Sequence, residues 1–431
     1  MNHVQPWSLS GAIRAISAGE TTAVDLVRQS FERIAEVEAD VRAWVHLDEQ
    51  QALASAAHLD AGPVQGLLHG IPVGVKDIID VAGMPTECGS VTRAGRRPAV
   101  DAWFVRRLKN AGAVVVGKSV TTEFAYFAPG PTGNPHDLAC TPGGSSSGSA
   151  AAVSAGMVPL ALGSQTAASL TRPAAFCGVA GYVSPAASLP TDGIAGLSPT
   201  LDSLGLVTST VEDLAVARAA LAGSSRMPVL AGVVAPRLLI WDGTNLGAVS
   251  PAMLAGFESA VGALSRSGAS ATRLPWTTQA AQLVEAHMTV MAYESARELA
   301  AEAEHPELLS ESLAALLAQG RCTSPADRNA ALHYARAQRL IMLSLLEEND
   351  AVLAPAALGT APAGLASTGS PVLSRPWQLL GLPVVTIPGL SDGDGMPLGV
   401  QLIGRADGQE RLLELARWVE AQLHSRVCST A

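Results

Sequence analysis

The run from Thr141 to Cys177, TPGGSSSGSAAAVSAGMVPLALGSQTAASLTRPAAFC, constrains this chain more than any other stretch. Glycine and serine crowd positions 143–149, small and apolar residues fill 150–162, and a second serine loop occupies 164–169. Small side chains let backbone approach backbone or a ligand closely, and glycine supplies the positive φ that a sharp turn needs. Such loops turn N–H groups and hydroxyls inward. A flexible Gly/Ser linker would continue into polar sequence, whereas here the continuation is small and apolar. The stretch therefore reads as two serine loops joined by a buried connector, the lip of a buried element.

With 431 residues and 48% hydrophobic content the chain can bury a large core, in one large domain or in two to three ordinary ones. Aromatic residues are 4% and charged residues 15%, so that core must be built mostly of Ala, Val and Leu. The net charge of −10 argues against nucleic acid or an anionic membrane as partner, since both demand basic surface. An anionic substrate would need a local cation. Mean hydropathy is positive, yet the 150–162 run is too short and too rich in Ser and Gly to span a bilayer. The opening MNHVQPWSLS lacks a charged segment followed by an apolar core, so a cytoplasmic location is expected. Cys88, Cys140, Cys177, Cys322 and Cys428 are odd in number and form no C-x-x-C pair, which implies neither a disulfide framework nor a zinc site. Cys177, in an apolar setting, reads as core.

Among the basic residues only Lys76, Lys109 and Lys118 are lysines. Arginine cannot act as a base at ordinary pH, whereas a desolvated lysine can lose its proton. Lys76 ends the apolar, Gly-bounded run 71–76, a predicted strand, where it either snorkels to the surface or serves as a buried amine. Asp77 and Asp80 follow and could pair with nearby basic groups. A helix over 102–111, carrying Arg106, Arg107 and Lys109 on a solvated face, and a strand over 113–117 complete a βαβ pattern. Lys118, just past that strand, reads as structural.

Elsewhere, residues 8–45 read as two helices, the second capped at Thr22 with Val24, Val27, Phe31 and Ile34 on one face. Residues 185–205 read as irregular. Helices are predicted over 210–222, from Ser250 with Leu254, Phe257, Val261 and Leu264 as its apolar stripe, and over 279–302, 306–319, 334–346 and 409–423. Strands are predicted at 238–242, 351–355, 383–387 and 398–403. Strands from both ends of the chain must meet in one sheet, which leaves no clean boundary within 1–431.

Three readings compete for the serine-rich region. A phosphate loop needs Gly-Lys-Ser/Thr after its spacer, and no lysine follows Gly144 or Gly148. A nucleophile elbow matches G-x-S-x-G at 144–148 with Ser146 central, but it requires a preceding strand and partner histidines, for which His287, His305, His333 and His424 are the candidates. The third joins Lys76, Ser145 and Ser169.

That third set lies in text that resembles the amidase signature family: GIPVGVKDIIDVAG at 70–83, GGSSSGSAAAVSAGMVPLALGSQTAAS at 143–169, RPAAFCGVAG at 172–181, LDSLG at 201–205 and LPVVTIPG…PLGVQLIGR within 382–405. The Gln-Thr-x-x-Ser-x-x-Arg-Pro wording and the Ala-Ser-Thr-Gly run at 366–369 are most similar to its malonamidase-like branch. The resemblance implies Ser169 as nucleophile, Ser145 as a bridging serine held by a cis peptide, and Lys76 as base. It also implies an oxyanion hole from the N–H groups of Thr166, Ala167, Ala168 and Ser169. A serine hydroxyl is a weak nucleophile until a base takes its proton, and a hydroxyl that both donates and accepts can relay one. Where the family usually has two glycines, this chain has Ala167-Ala168, so either the turn avoids positive φ or the pocket is shifted. Arg172 is the expected carboxylate handle, with pairing to an internal Asp as the alternative. Gln165 and Tyr126 are expected to line the pocket.

The expected fold is α/β, a single large domain with a twisted mixed sheet flanked by helices on both faces. The expected activity is hydrolysis of a small amide through an acyl-enzyme, without metal or organic cofactor. Expected partners are a small-molecule amide and a second copy in a homodimer, with no nucleic acid and no membrane. Open alternatives are the amidase-like component of an amidotransferase and a non-catalytic binding protein of the same fold.

Overall fold

The structure, a computed structural model, describes residues 3–424 apart from Leu230, Ala231 and Val233. Cys428 and the first two residues of the N-terminal motif lie outside the described residues. The strands are β1 (Trp44–Leu47), β2 (Pro72–Lys76), β3 (Val114–Ser119), β4 (Leu160–Gln165), β5 (Ala180–Val183), β6 (Ser203–Thr208), β7 (Arg237–Ile240), β8 (Ser270–Arg273), β9 (Ala351–Pro355), β10 (Val384–Ser391) and β11 (Pro397–Ile403). The helices are α1 (Leu9–Ser17), α2 (Ala23–Val41), α3 (Glu49–Asp60), α4 (Trp103–Asn110), α5 (Ser147–Ser154), α6 (Thr171–Phe176), α7 (Val211–Leu221), α8 (Pro251–Arg266), α9 (Gln279–Glu298), α10 (Glu311–Cys322), α11 (Pro325–Glu348), α12 (Arg375–Leu379) and α13 (Gln409–His424).

Among the described residues 11 strands form one mixed sheet in the order β1-β3-β2-β4-β6-β5-β10-β11-β9-β7-β8, flanked by helices. β3, β2 and β4 run parallel, as do β9, β7 and β8, while β10 lies antiparallel to both β5 and β11. Strands covered on both faces read as continuous apolar runs, and β2 and β4 are buried at every position. The expected βαβ unit is present as β2, α4 and β3.

Local signals account for most boundaries. Thr22 and Asp25 form the capping box of α2, whose Val27 and Ile34 are buried while Val24 and Phe31 pack against the same core. Ser250 caps α8 with Pro251 in its first turn. In α8, Phe257 and Leu264 are buried, and Leu254 and Val261 pack beside them.

Several stretches differ from expectation, and four of them have a reason visible in the packing or capping. The helix expected to reach 45 ends at Arg42, which takes a left-handed φ of 53°. Glu38 then accepts the N–H groups of Ala43 and Trp44, and the chain enters β1. The supposed connector over 150–162 divides into α5 and β4. At Gly148 in α5 a Cβ would lie 2.2 Å from the carbonyl oxygen of Ala43, so glycine here serves close packing. The irregular stretch over 185–205 ends inside β6, where a Cβ at Gly205 would lie 2.3 Å from the Tyr182 carbonyl oxygen. Finally, α11 starts at Pro325, nine residues before the predicted 334, with Ser324 and Asp327 as a capping box.

Candidate active site

The site is built on the carboxyl ends of β2 and β4, where ligands of open α/β sheets commonly bind. Lys76 is the last residue of β2 and has no exposed surface. Its Nζ lies 2.6 Å from Ser145 Oγ and 2.8 Å from Ser164 Oγ. Burial drives the Lys76 pKa down to about 7, with Asp202 and Cys88 opposing. The snorkelling alternative therefore does not describe this residue.

Ser145 follows a cis Gly144–Ser145 peptide bond. Ser146 caps the start of α5, its N–H donates to the Ser169 carbonyl at 2.9 Å, and its Oγ donates to the Ser164 carbonyl. With no accessible surface and no preceding strand, Ser146 lacks the setting of a nucleophile elbow. Of the histidines proposed to serve it, His287 instead meets the Thr166 carbonyl and Arg375.

Ser169 ends the turn between β4 and α6. It lines a small pocket together with Ser145, Thr166, Ala167, Ala168, Arg172 and Tyr126. Among the described residues, no acceptor meets the N–H groups of Thr166, Ala167, Ala168 or Ser169, so these donors are available to a bound oxygen. Neither Ala167 nor Ala168 has a positive φ. The turn avoids the left-handed region, and alanine occupies both positions without strain. Another part of the pocket wall is strained: Ala125 and Phe127, both pocket residues, have φ of 61° and 36°. Non-glycine residues held there cost about 1–3 kcal/mol each, and such outliers cluster at ligand sites. A larger groove lies against α3 and the 81–84 turn, but its lysine, Lys109, is already paired with Asp101.

Arg172 is almost completely buried. It donates to the carbonyls of Gly369 and Gly144, each at 2.6 Å, and to Thr368 Oγ1 at 3.0 Å. Its Nε has no partner, and among the described residues no carboxylate pairs with it. Burial, reinforced by Arg375, lowers its pKa to about 9. Pairing with an internal Asp, the alternative raised for this residue, is thus not what the fold provides. Arg375, also buried, meets His287 and likewise has no ion-pair partner among the described residues.

Gln165, expected in the pocket wall, points elsewhere. Side chains alternate along a strand, and with Ser164 turned to Lys76, Gln165 faces the other way. Its Oε1 accepts the N–H groups of Leu170 and Thr171, and its Nε2 donates to Gln378. Cys177 is core, as expected, and burial pushes its thiol up.

Sequence reasoning does not single out Asp202 and Ser164, although LDSLG and the second serine loop contain them. Asp202 accepts from Thr166 Oγ1 at 2.6 Å and from the N–H groups of Leu197 and Ser198. Burial raises its pKa to about 6 against those hydrogen bonds. The 196–202 loop is in turn tied to α9 and α11, since Glu294 accepts from Ser198 and Thr200 and pairs with Arg328 at 2.6 Å.

A mixed α/β sheet that sets a buried amine against Ser145, beside a pocket that Ser145 shares with Ser169 and a row of open N–H groups, has the architecture of the amidases. The amidase family profile matches residues 25–413, and the chain belongs to the amidase signature family, whose catalytic activity is amide hydrolysis. The A-type subunit of glutamyl-tRNA(Gln) amidotransferase from a Picosynechococcus species is 30% identical over 462 aligned positions, covering 94% of this chain and 95% of that protein. The corresponding amidotransferase protein of Chlamydia pneumoniae is 42% identical over 213 residues, so the match spans 47% of this chain and less than half of that relative, 43%. Among solved structures, an amidase superposes with a TM-score of 0.88 at 30% identity, over 96% of this chain and 100% of the other. The native peptide amidase of Stenotrophomonas maltophilia superposes at 0.80 with 28% identity over 96% of each chain. Among the described residues no helix is long and apolar enough to cross a membrane.

Proposed function

We propose that this amidohydrolase cleaves a small amide bearing a carboxylate, as in the malonamidase-like branch, through an acyl-enzyme on Ser169. The observation that carries the reading is the buried 2.6 Å contact between Lys76 Nζ and Ser145 Oγ at the pocket that Ser169 also lines. A neutral amine has two hydrogens and one lone pair. It can donate to Ser164 while accepting the Ser145 hydroxyl, which leaves Ser145 Oγ free to accept a proton from Ser169.

In this mechanism Ser169 Oγ attacks the amide carbon as its proton passes to Ser145, and the Ser145 proton passes to Lys76. The N–H groups of Thr166, Ala167, Ala168 and Ser169 hold the oxyanion, an arrangement in which one lost donor costs about 10²–10³ in kcat. Collapse breaks the C–N bond, and the departing nitrogen takes the proton back through Ser145. Water then releases the acid by the same path. Arg172 receives the substrate carboxylate, because its charge is buried without an internal carboxylate. Tyr126 forms the facing wall, and Gln165 holds the turn that carries Ser169.

The test is ammonia release from malonamate by purified variants. Ser169→Ala abolishes it and Lys76→Ala removes most of it; full activity in either variant overturns the assignment. The similarity to amidotransferase components supports a second reading, in which the chain supplies ammonia to a partner enzyme. Copurification with a second protein, and glutaminase activity that appears only in its presence, would select that reading.

A further inference from the structure

The peptide joining Thr166 to Ala167 is held from its carbonyl side. His287, on α9 and without exposed surface, places Nε2 2.8 Å from the Thr166 carbonyl oxygen. Its Nδ1 lies 3.3 Å from Arg375 Nη1. A guanidinium can only donate, so Nδ1 is the acceptor and the ring proton sits on Nε2, where it donates to the carbonyl. Burial, and next the charge of Arg375, hold the imidazole pKa down to about 3, so the ring stays neutral.

The Thr166–Ala167 bond is trans, and in a trans peptide the C=O and N–H point in opposite directions. A carbonyl drawn towards His287 therefore sends the Ala167 N–H away from α9. No acceptor among the described residues meets that N–H, and Ala167 lines the pocket. Thr166 is gripped a second time, through its Oγ1 on Asp202. With alanines in place of glycines, the turn has fewer backbone alternatives to begin with.

We propose that His287 is a positioning residue that aims the Ala167 N–H at the oxyanion, with Arg375 fixing the tautomer that lets it do so. The inference rests on the reading of Ser169 as nucleophile, and the experiment separates the two.

Ammonia release from malonamate and the rate of fluorophosphonate labelling are measured for Ser169→Ala, His287→Leu, His287→Gln and Arg375→Lys, with thermal melts alongside. His287→Leu lowers kcat on the order of 10²-fold, the scale of one lost oxyanion donor, with KM nearly unchanged and slower labelling. His287→Gln, whose carboxamide N–H reaches the same carbonyl, recovers most of kcat, and Arg375→Lys, which keeps a donor for Nδ1, retains more than His287→Leu. Wild-type kcat in His287→Leu overturns the proposal, as does a His287→Gln enzyme that melts like wild type yet is as slow as the leucine variant. If His287→Leu does not fold, the glutamine and lysine variants decide the matter alone. An active Ser169→Ala enzyme instead defeats the nucleophile reading itself.

Discussion

Asp77 follows Lys76 directly in the chain, yet its carboxylate pairs with Lys118, at 2.8 Å, and both partners are buried. Consecutive side chains at a strand end point to opposite sides, so the nearest carboxylate in sequence is turned away from the amine. Lys118 completes its contacts on Thr86 Oγ1 and the Pro85 carbonyl. Lys76 is left with hydroxyl neighbours and no ion-pair partner among the described residues, which is why burial dominates its proton affinity.

The first prediction concerns that affinity. Only unprotonated Lys76 can accept a proton, so kcat/KM for malonamate rises with pH and levels off above about 7. An unfolded lysine titrates near 10.4. Between these values the unfolded chain binds more protons, so the contribution of Lys76 to stability increases with pH across that window and is unfavourable below it. Lys76→Met is accordingly inactive but at least as stable as wild type at pH 7, and its urea midpoint loses this part of the pH slope. An unchanged slope contradicts the prediction.

Breaking the neighbouring pair has the opposite effect. Asp77→Asn leaves the Lys118 ammonium buried without its counter-charge, a change that typically costs about 3–5 kcal/mol. The urea midpoint falls well below that of wild type, and the double variant Asp77→Asn with Lys118→Met recovers part of the loss. A midpoint unaffected by Asp77→Asn shows that the pair contributes nothing.

Arg172 is tested by substrate choice. Arg172→Ala reduces kcat/KM for malonamate on the order of 10²-fold, as expected for loss of a charge-assisted contact worth about 1.5–3 kcal/mol. Turnover of propionamide, which has no carboxylate, falls much less. Equal losses on both substrates assign Arg172 to holding Gly144 and Gly369 together rather than to binding substrate.

The alanine pair before Ser169 makes a further prediction. Since neither alanine has a positive φ, glycine gains nothing there. Ala167→Gly and Ala168→Gly each destabilise by about 0.4–1 kcal/mol through greater freedom in the unfolded chain, as read by denaturation, with turnover no better than wild type. A large rise in turnover for either variant means that the alanines obstruct the pocket.

The sequence makes parts of this site legible and conceals others for physical reasons. Lys76, Ser145 and Ser169 each sit in a stretch whose local wording is unusual, so they can be found without knowing how the chain folds. The fold then brings Lys76 and Ser145 into contact and sets Ser169 in the same pocket. Gln165 is misplaced by sequence reasoning because position along the chain is blind to strand alternation, which commits it to the face opposite Ser164. His287 and Arg375 carry no local signal at all. They matter because α9 and α12 pack over the 166 turn, an arrangement that helix periodicity does not encode. Among the strands, β8 is exposed along its whole length and so lacks an apolar pattern, whereas β6 is hidden by a glycine that its neighbour requires.

The strand order also says when the molecule can be completed during synthesis. Strands β1 to β6 form one contiguous block and β7 to β9 another, and the two are joined through β10 and β11, near the end of the chain. Until residues 384–403 have left the ribosome, β5 and β9 lack the partners that cover them, and unpaired edges of this kind invite association with other chains. Lys76, Ser145 and Ser169 all emerge with the first block, but Arg172 finds Thr368 and Gly369 only much later. A nascent chain therefore carries Ser145 and Ser169 well before it can build the pocket around them.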